Sequence, residues 1–488
     1  MDGAYAFSPA THDVDPDIRG LAADSRAVEP GFLFAALSGS RLDGRRFIDD
    51  AIARGAAALL VESEAAADLA QRAPGVRVVA DSNPRRRLAL MAAKFFRPQP
   101  AVAVAVTGTN GKTSVADFTR QIWRRQGVRA ASLGTVGVIG PDFTRSGSLT
   151  TPDPVTLHRE LQALARAGID HVALEASSHG LDQHRLDGLN FIAAAFTNLT
   201  RDHLDYHHDM TAYFAAKARL FTELLPPDGT AVLNLDTPEG LRLAATARAR
   251  GQRVIGFGRA AEASFRLLAA TPQGDGQTIT VRAQDVERTL TLPLLGAFQA
   301  GNALAAAGLA VAAGVPVAAA LAALETLQGV PGRMERVAIH PAGAPVIVDY
   351  AHTPDALETA LTALRPHCRG RLVLVFGCGG DRDPGKRPQM GAIAERLADR
   401  VIVTDDNPRG EDAALIRRAI LAQCPKAREI GDRAAAIAAA LDGLAADDLL
   451  LIAGKGHESG QIVAGKTLPF NDAAAVRTAL ARGGEAQS

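Results

Sequence analysis

In the run Val106-Thr107-Gly108-Thr109-Asn110-Gly111-Lys112-Thr113-Ser114, two glycines bracket a short polar turn, and a lysine and two hydroxyls follow at once. Those residue types suit a phosphate chain. Glycine lets backbone N–H groups close on an anion, and a lysine can reach its terminal phosphates. A threonine beside that lysine can ligate Mg²⁺. The first glycine stands three positions before Gly111, where the common phosphate loop has five, so this loop is a shortened form. The chemistry requires a buried strand ahead of the loop and a helix behind it, because the helix dipole then faces the anion. Nucleotide binding is expected at Gly108, Thr109, Asn110, Gly111, Lys112, Thr113 and Ser114.

Other polar loops share that placement. Glu175 closes the apolar run Val172 to Leu174 and opens Ala176-Ser177-Ser178-His179-Gly180-Leu181-Asp182-Gln183-His184-Arg185. A carboxylate at the C-terminal edge of an open α/β sheet suits Mg²⁺, although a polar loop after a strand needs no ligand at all. Thr197-Asn198-Leu199-Thr200-Arg201-Asp202-His203-Leu204-Asp205-Tyr206-His207 follows another strand. Lys217 lies in Tyr213-Phe214-Ala215-Ala216-Lys217-Ala218-Arg219-Leu220-Phe221; on its surroundings alone it is a lysine snorkelling from an amphipathic helix. Near the end of the chain, Asp349 to Pro354, Gly377 to Asp383, Asp405 to Arg409 and Ala453 to Glu458 each follow a strand-like run. Four loops on one rim make a binding edge without naming its ligand.

The elements that must position these loops are legible as apolar runs. Phe32 to Leu37, Ala57 to Val61 and Val76 to Ala80 are strand-like and mixed with helical stretches, and Arg97-Pro98-Gln99-Pro100 punctuates the chain after them. Ala101 to Val106, His171 to Leu174, Phe191 to Phe196 and Ala231 to Leu233 alternate with helical patterns, which reads as a mostly parallel sheet covered on both faces. After Val330-Pro331-Gly332 a second series begins with Val346 to Val348, Leu372 to Phe376, Val401 to Val403 and Leu449 to Ile452. The expected class is α/β in three domains: a small N-terminal α/β domain over 1–98, a central P-loop-type mostly parallel sheet over 99–331, and a C-terminal Rossmann-like doubly wound domain over 332–488.

Composition agrees with an ordinary globular chain. The 488 residues include 53 basic and 53 acidic side chains, so the formal net charge is zero. With no long basic tract, a non-specific nucleic-acid or anionic-membrane binder is disfavoured. Cys368, Cys378 and Cys424 are too few and too far apart for a disulfide framework or a zinc knuckle, which fits the cytoplasm. The first residues carry acids where a signal peptide needs a basic start. Ala303 to Leu324 is uncharged and long enough to span a membrane, but Gly314-Val315-Pro316 breaks it into two short buried helices.

Taken together, TGTNGKT, EASSHGLDQHR, TNLTRDHLDYH, AAKARLF, GNALAA, GRMER and DYAHTPDALE, in that order, resemble the Mur ligase family of ATP-dependent amide-bond-forming enzymes of peptidoglycan precursor synthesis. Asp24-Ser25-Arg26, Gly44-Arg45-Arg46-Phe47 and Asp406-Asn407-Pro408-Arg409 resemble the member that adds the third peptide residue. The resemblance implies a sugar nucleotide on the first domain, ATP on the second and the incoming amino acid, meso-diaminopimelate, on the third. Ser25, Ser40, Arg41, Leu42, Leu149, Thr150, Thr151, Ser177, Gln183 and Arg185 match the UDP-muramoyl-dipeptide positions. Asn302, Arg333 and His352 match the ATP side, with Gln299 standing where relatives usually have asparagine. Arg382, Asp406, Asn407, Pro408, Arg409, Gly454 and Glu458 match the diaminopimelate positions. Thr113, Glu175 and His203 would hold Mg²⁺, with Lys112, His203 and Lys217 as catalytic groups. Lys217 matches a lysine carbamylated by CO₂, which would turn a cation into an anionic metal ligand. A monomer working on small molecules is implied. L-lysine as acceptor and a folylpolyglutamate synthase are the near alternatives, and a P-loop switch or motor protein the distant one.

Overall fold

The computed structural model describes residues 16–39, 43–147, 149–274, 276–284 and 286–485. Ser40, Arg41 and Leu42 lie outside the described residues, as do residues 1–15. Among the described residues the chain builds three α/β units in succession. The first carries four parallel strands laid side by side in chain order: Gly20–Ala22, Phe32–Ala35, Ala58–Glu62 and Arg77–Asp81.

Val102–Thr107, in which valine alternates with alanine, organises the central unit. Small and β-branched side chains on both faces fit a strand covered on both sides, and Ala103 to Val106 are at most 5% exposed. This strand lies between Phe191–Phe196 and His171–Glu175 in a sheet that, among the described residues, has eleven strands. All three run parallel, with Val106 in register with Glu175 and Thr107 with Phe196. Their C-terminal ends therefore finish flush, and the loops after them start on one rim.

Both ends of the sheet turn antiparallel, which the apolar runs did not announce. Phe265–Gln273, Gly276–Ala283 and Val286–Leu292 form one extension, and Gly137–Ile139 and Thr144–Arg145 the other. The residues explain the first: polar and apolar positions alternate, so Ile279, Val281, Leu290 and Leu292 join the central core while the opposite face meets solvent. The alanine-rich stretch forms two buried helices, Phe298–Ala312 and Val317–Leu324, interrupted at Gly314; the longer packs against Lys112–Arg125. Among the described residues no helix is long and apolar enough to cross a membrane.

The last unit has six strands in the order Glu335–Ile339, Pro345–Asp349, Leu449–Ala453, Leu372–Phe376, Arg400–Val403 and Arg428–Glu429, all parallel except the first pair. A separate hairpin, Gly460–Val463 with Lys466–Pro469, lies beyond them. Arg433, at the start of helix Arg433–Leu441, ties the rim of this sheet together. Its guanidinium pairs with Asp472 at 2.7 and 2.8 Å, and both side chains are fully buried. It also donates to the carbonyls of Ala453, at 3.0 Å, and Asp405, at 3.4 Å. One buried cation thus fixes the starts of two of the four rim loops. Removing its counter-ion leaves an uncompensated buried charge, which costs about 3–5 kcal/mol. Asp472→Ala should lower native-state hydrogen-exchange protection of Leu449–Ala453 by that amount, and Arg433→Met with Asp472→Leu should recover most of it. Wild-type protection in Asp472→Ala would show that the pair contributes nothing.

Candidate active site at the meeting of the second and third domains

Gly108 and Gly111 have φ of 146° and 88°, conformations that L side chains rarely adopt. A Cβ on Gly108 would stand 1.9 Å from Thr197 Oγ1, and one on Gly111 2.4 Å from Asn302 Oδ1. Glycine is required by both criteria. The loop is pinned from the neighbouring strand end: Thr109 N–H donates to the Asn198 carbonyl and Asn110 N–H to Asn198 Oδ1, each at 2.9 Å. No side chain caps helix Lys112–Arg125, so its first N–H groups are open to an anion.

Two lysines converge on this loop. Lys112 Nζ donates to the carbonyls of Gly108 at 3.0 Å and Thr109 at 2.8 Å. Lys217 Nζ reaches the same Gly108 carbonyl at 2.7 Å, with the Tyr213 ring centroid at 4.3 Å. Lys217 is 1% exposed, and among the described residues no carboxylate hydrogen bonds its Nζ. It does not snorkel; helix Met210–Arg219 turns it inward. Burial, reinforced by the Lys112 charge, pushes the Lys217 ammonium well below the ordinary lysine range, so the neutral amine is favoured. Tyr213, one helical turn before Lys217, also hydrogen bonds Thr109 Oγ1 through its hydroxyl at 3.2 Å. That spacing was visible in the sequence, though nothing there gave Tyr213 a role.

Glu175 is buried, and its carboxylate accepts from Thr135 N–H at 2.7 Å and Thr135 Oγ1 at 3.1 Å. His203 has φ of 54° and lies edge-on to His179 at 4.8 Å, with Nε2 3.5 Å from Asp202 Oδ2. Among the described residues no three His, Cys, Asp or Glu side chains are grouped to hold a metal unaided. Thr113, Glu175 and His203 still offer the hard oxygen and imidazole donors that suit Mg²⁺, which typically takes one or two carboxylates and completes its shell with phosphate oxygens and water. The residues fit a metal that arrives with a nucleotide.

Of the sugar-side positions, Thr150, Thr151, Ser177, Gln183 and Arg185 lie in one hydrogen-bonded group on the second domain. Thr151 Oγ1 donates to the Glu175 carbonyl at 2.8 Å and accepts from Ser177 N–H at 3.0 Å. Arg185 donates to the Thr151 carbonyl at 2.6 Å and to Gln183 Oε1 at 2.7 Å. Thr150 Oγ1 lies 2.9 Å from Thr135 Oγ1, and Leu149 is exposed beside them. Ser25 sits on the first domain in a turn capped by Asp24.

Two cavities lie where the second and third domains meet, and the phosphate loop lines one of them. One, of about 510 Å³, is lined by Asn110, Gly111, Phe257, Phe298, Gln299 and Asn302 together with Arg333, Met334 and His352 from the third domain. Asn302 Nδ2 donates to Gln299 Oε1 at 2.9 Å, so the glutamine does reach this wall. The other, of about 680 Å³, holds Asp202, His203, Arg382, Asp406, Asn407, Arg409, Gly454 and Glu458. Tyr350, His352 and Asp355 line both. Asp355, which sequence reading passed over, accepts from Asn110 Nδ2 at 3.1 Å and Thr200 Oγ1 at 3.0 Å, and Arg333 Nη2 reaches Thr113 Oγ1 at 3.4 Å. The third domain therefore touches the phosphate loop directly. In the larger cavity Arg409, with φ of 53°, is held by the Gly380 carbonyl at 2.8 Å, and Asp406 and Asn407 are buried.

A phosphate loop opening on one cavity that shares a wall with a second, charged one defines a nucleotide-dependent enzyme of a three-domain kind. The chain belongs to the Mur ligase family. The models for the Mur ligase family catalytic domain, the Mur ligase middle domain and the Mur ligase glutamate ligase domain match residues 17–96, 106–310 and 332–456. A UDP-N-acetylmuramoyl-L-alanyl-D-glutamate–2,6-diaminopimelate ligase from Bradyrhizobium diazoefficiens is 54% identical over 98% of this chain and 97% of its own. One from Caulobacter vibrioides is 54% identical over 96% of each. A solved structure of a protein with that name is 35% identical, covers 96% of this chain and 95% of its own, and superposes with a TM-score of 0.69. The MurF ligase from Thermotoga maritima in complex with ADP, 18% identical over 97% of this chain and 100% of its own with a TM-score of 0.65, shares the fold.

The loop's tolerance is testable. Gly108→Ala forces a Cβ into Thr197 and an unfavourable φ. Nucleotide affinity followed by calorimetry should fall at least about tenfold, or ~1.4 kcal/mol; wild-type affinity would mean that the loop re-forms without the glycine.

Proposed function

We propose that this ligase uses ATP to join meso-diaminopimelate to the γ-carboxylate of the D-glutamyl residue in UDP-N-acetylmuramoyl-L-alanyl-D-glutamate, in the cytoplasm and as a monomer. The observation that carries the reading is the shared wall at Tyr350, His352 and Asp355 between the nucleotide-sized cavity and the charged one. A group activated on one side is thereby presented to an amine held on the other. Domains 1–98, 99–331 and 332–488 would take the sugar nucleotide, ATP and amino acid in turn. The three free cysteines suit a reducing compartment.

A carboxylate is a poor acyl donor, so the γ-phosphoryl group moves first onto the glutamyl carboxylate. The acyl–oxygen bond to phosphate then breaks as the amine attacks, releasing phosphate. Lys112 and the open N–H groups of its helix neutralise the phosphates as charge shifts. Asn302 and Gln299 border the nucleotide cavity, and Arg333 and His352 close it from the third domain. Thr113, Glu175, His203 and Lys217 as its carbamate would hold Mg²⁺, which would offset the negative charge of the phosphates. The neutral amine favoured at Lys217 is the form that adds CO₂, with loss of one proton, to give that carbamate. Ser25 with Ser40, Arg41 and Leu42, and Leu149, Thr150, Thr151, Ser177, Gln183 and Arg185, would bind the UDP-muramoyl-dipeptide.

Acceptor choice follows from charge. Diaminopimelate differs from L-lysine by one carboxylate at the far end. A guanidinium binds a carboxylate through paired charged hydrogen bonds, and Arg409 and Arg382 both line the larger cavity. Lysine would leave Arg409 without a carboxylate partner. Phosphate release should require the sugar nucleotide and an amine together, with diaminopimelate far ahead of lysine in an amine panel. Arg409→Ala should cut kcat/KM for diaminopimelate at least about a hundredfold, or ~2.7 kcal/mol, and narrow its lead over lysine. Equal use of both amines by the wild type would contradict the assignment.

A further inference from the structure

Lys455 follows Gly454 in the last rim loop and is fully buried, yet neither phosphate chemistry nor the amino-acid contacts proposed above use it. Its Nζ donates to Asn407 Oδ1 at 3.0 Å and to Glu458 Oε2 at 2.8 Å. Ile462 N–H donates to the same Asn407 Oδ1 at 2.9 Å. A carboxamide oxygen that accepts from an ammonium and a backbone N–H fixes the amide's orientation, so Asn407 Nδ2 must point the other way. It donates to Glu458 Oε2 at 2.9 Å. One carboxylate oxygen therefore carries two donors, and Oε1 is engaged by neither. Burial works to raise the Glu458 carboxyl, but Lys455 and Asn407 outweigh it and hold it below the usual range, so it is ionised. Glu458 is part-exposed and borders the 680 Å³ cavity.

We propose that Lys455 is a positioning residue for acceptor specificity: with Asn407 it saturates one oxygen of Glu458, leaving the other as a single aimed acceptor for the ammonium at the far end of the amino-acid substrate. This rests on the reading that the cavity takes diaminopimelate. A carboxylate held this way loses a partner when the substrate lacks that ammonium, and built polar sites discriminate strongly against such analogues. Without Lys455 the Glu458 carboxylate is free to turn, and the penalty for the missing ammonium shrinks. A purely structural ion pair would alter stability and leave the choice between amines alone.

The test compares diaminopimelate with 2-aminopimelate, which keeps the chain and the far carboxylate but lacks the far ammonium. The wild type should favour diaminopimelate strongly. Lys455→Met should narrow that ratio of kcat/KM at least about tenfold, with KM for ATP and the sugar nucleotide within about twofold of wild type, and Lys455→Gln, which keeps an amide donor, should fall between. If Lys455→Met does not accumulate as folded protein, the ratio in Lys455→Gln decides. An unchanged ratio in either variant overturns the proposal, as does a loss in Lys455→Met that strikes all three substrates equally. A wild type that uses diaminopimelate without favouring it overturns this inference alone. One that uses neither amine overturns the functional reading beneath it as well.

Discussion

The carbonyl oxygen of Gly108 accepts from two ammonium groups, Lys112 and the buried Lys217. Like charges at one acceptor in a water-poor site are unfavourable; among the described residues no carboxylate hydrogen bonds Lys217, and Asp202, acting at a distance, offsets them only in part. Two reliefs exist: an anion brought to the loop, or the loss of charge at one lysine. Lys112, on the open helix N-terminus, is placed for the first. Lys217, sealed behind Tyr213, is placed for the second. The same unfavourable pairing, with burial the larger cause, favours the neutral amine at a residue type that is ordinarily charged.

Much of the architecture serves to hold that arrangement. Flush parallel strand ends bring Gly108, Glu175 and Thr197 to one rim, and Asn198 pins the loop from the side. The third domain adds its own grip through Asp355 on Asn110 and Arg333 on Thr113. In that domain Arg433 plays a similar part, fixing the carbonyls from which two of the rim loops begin. Buried basic side chains, Lys217 in the second domain and Arg433 in the third, thus anchor loops at the two cavities.

How far the sequence discloses this depends on the distance over which each feature is encoded. The phosphate loop is written in adjacent residues, because glycine, lysine and a helix start carry its function locally, and Gly108 to Ser114 stand where they were expected. The break at Gly314 likewise divided an apparent span into two buried helices. Lys217 misleads when taken from its helix alone, since only packing against the loop, 109 positions earlier, shows that it points inward. Asp355 is invisible in the sequence for the same reason, its partner Asn110 lying 245 positions away. The antiparallel extension from Phe265 to Leu292 had a local signal, the alternation of threonine and arginine with apolar residues, and was missed because the parallel pattern dominated the reading.

If Lys217 gives up its charge and serves as a carbamate, the added carbon is directly observable. Equilibrating the enzyme with ¹³C-labelled bicarbonate and recording its ¹³C spectrum tests this directly, without reference to turnover. The expected result is one slowly exchanging carbamate resonance at stoichiometric intensity, lost on acidification and missing from Lys217→Ala. A spectrum with no such resonance, or one that persists in the variant, would contradict it.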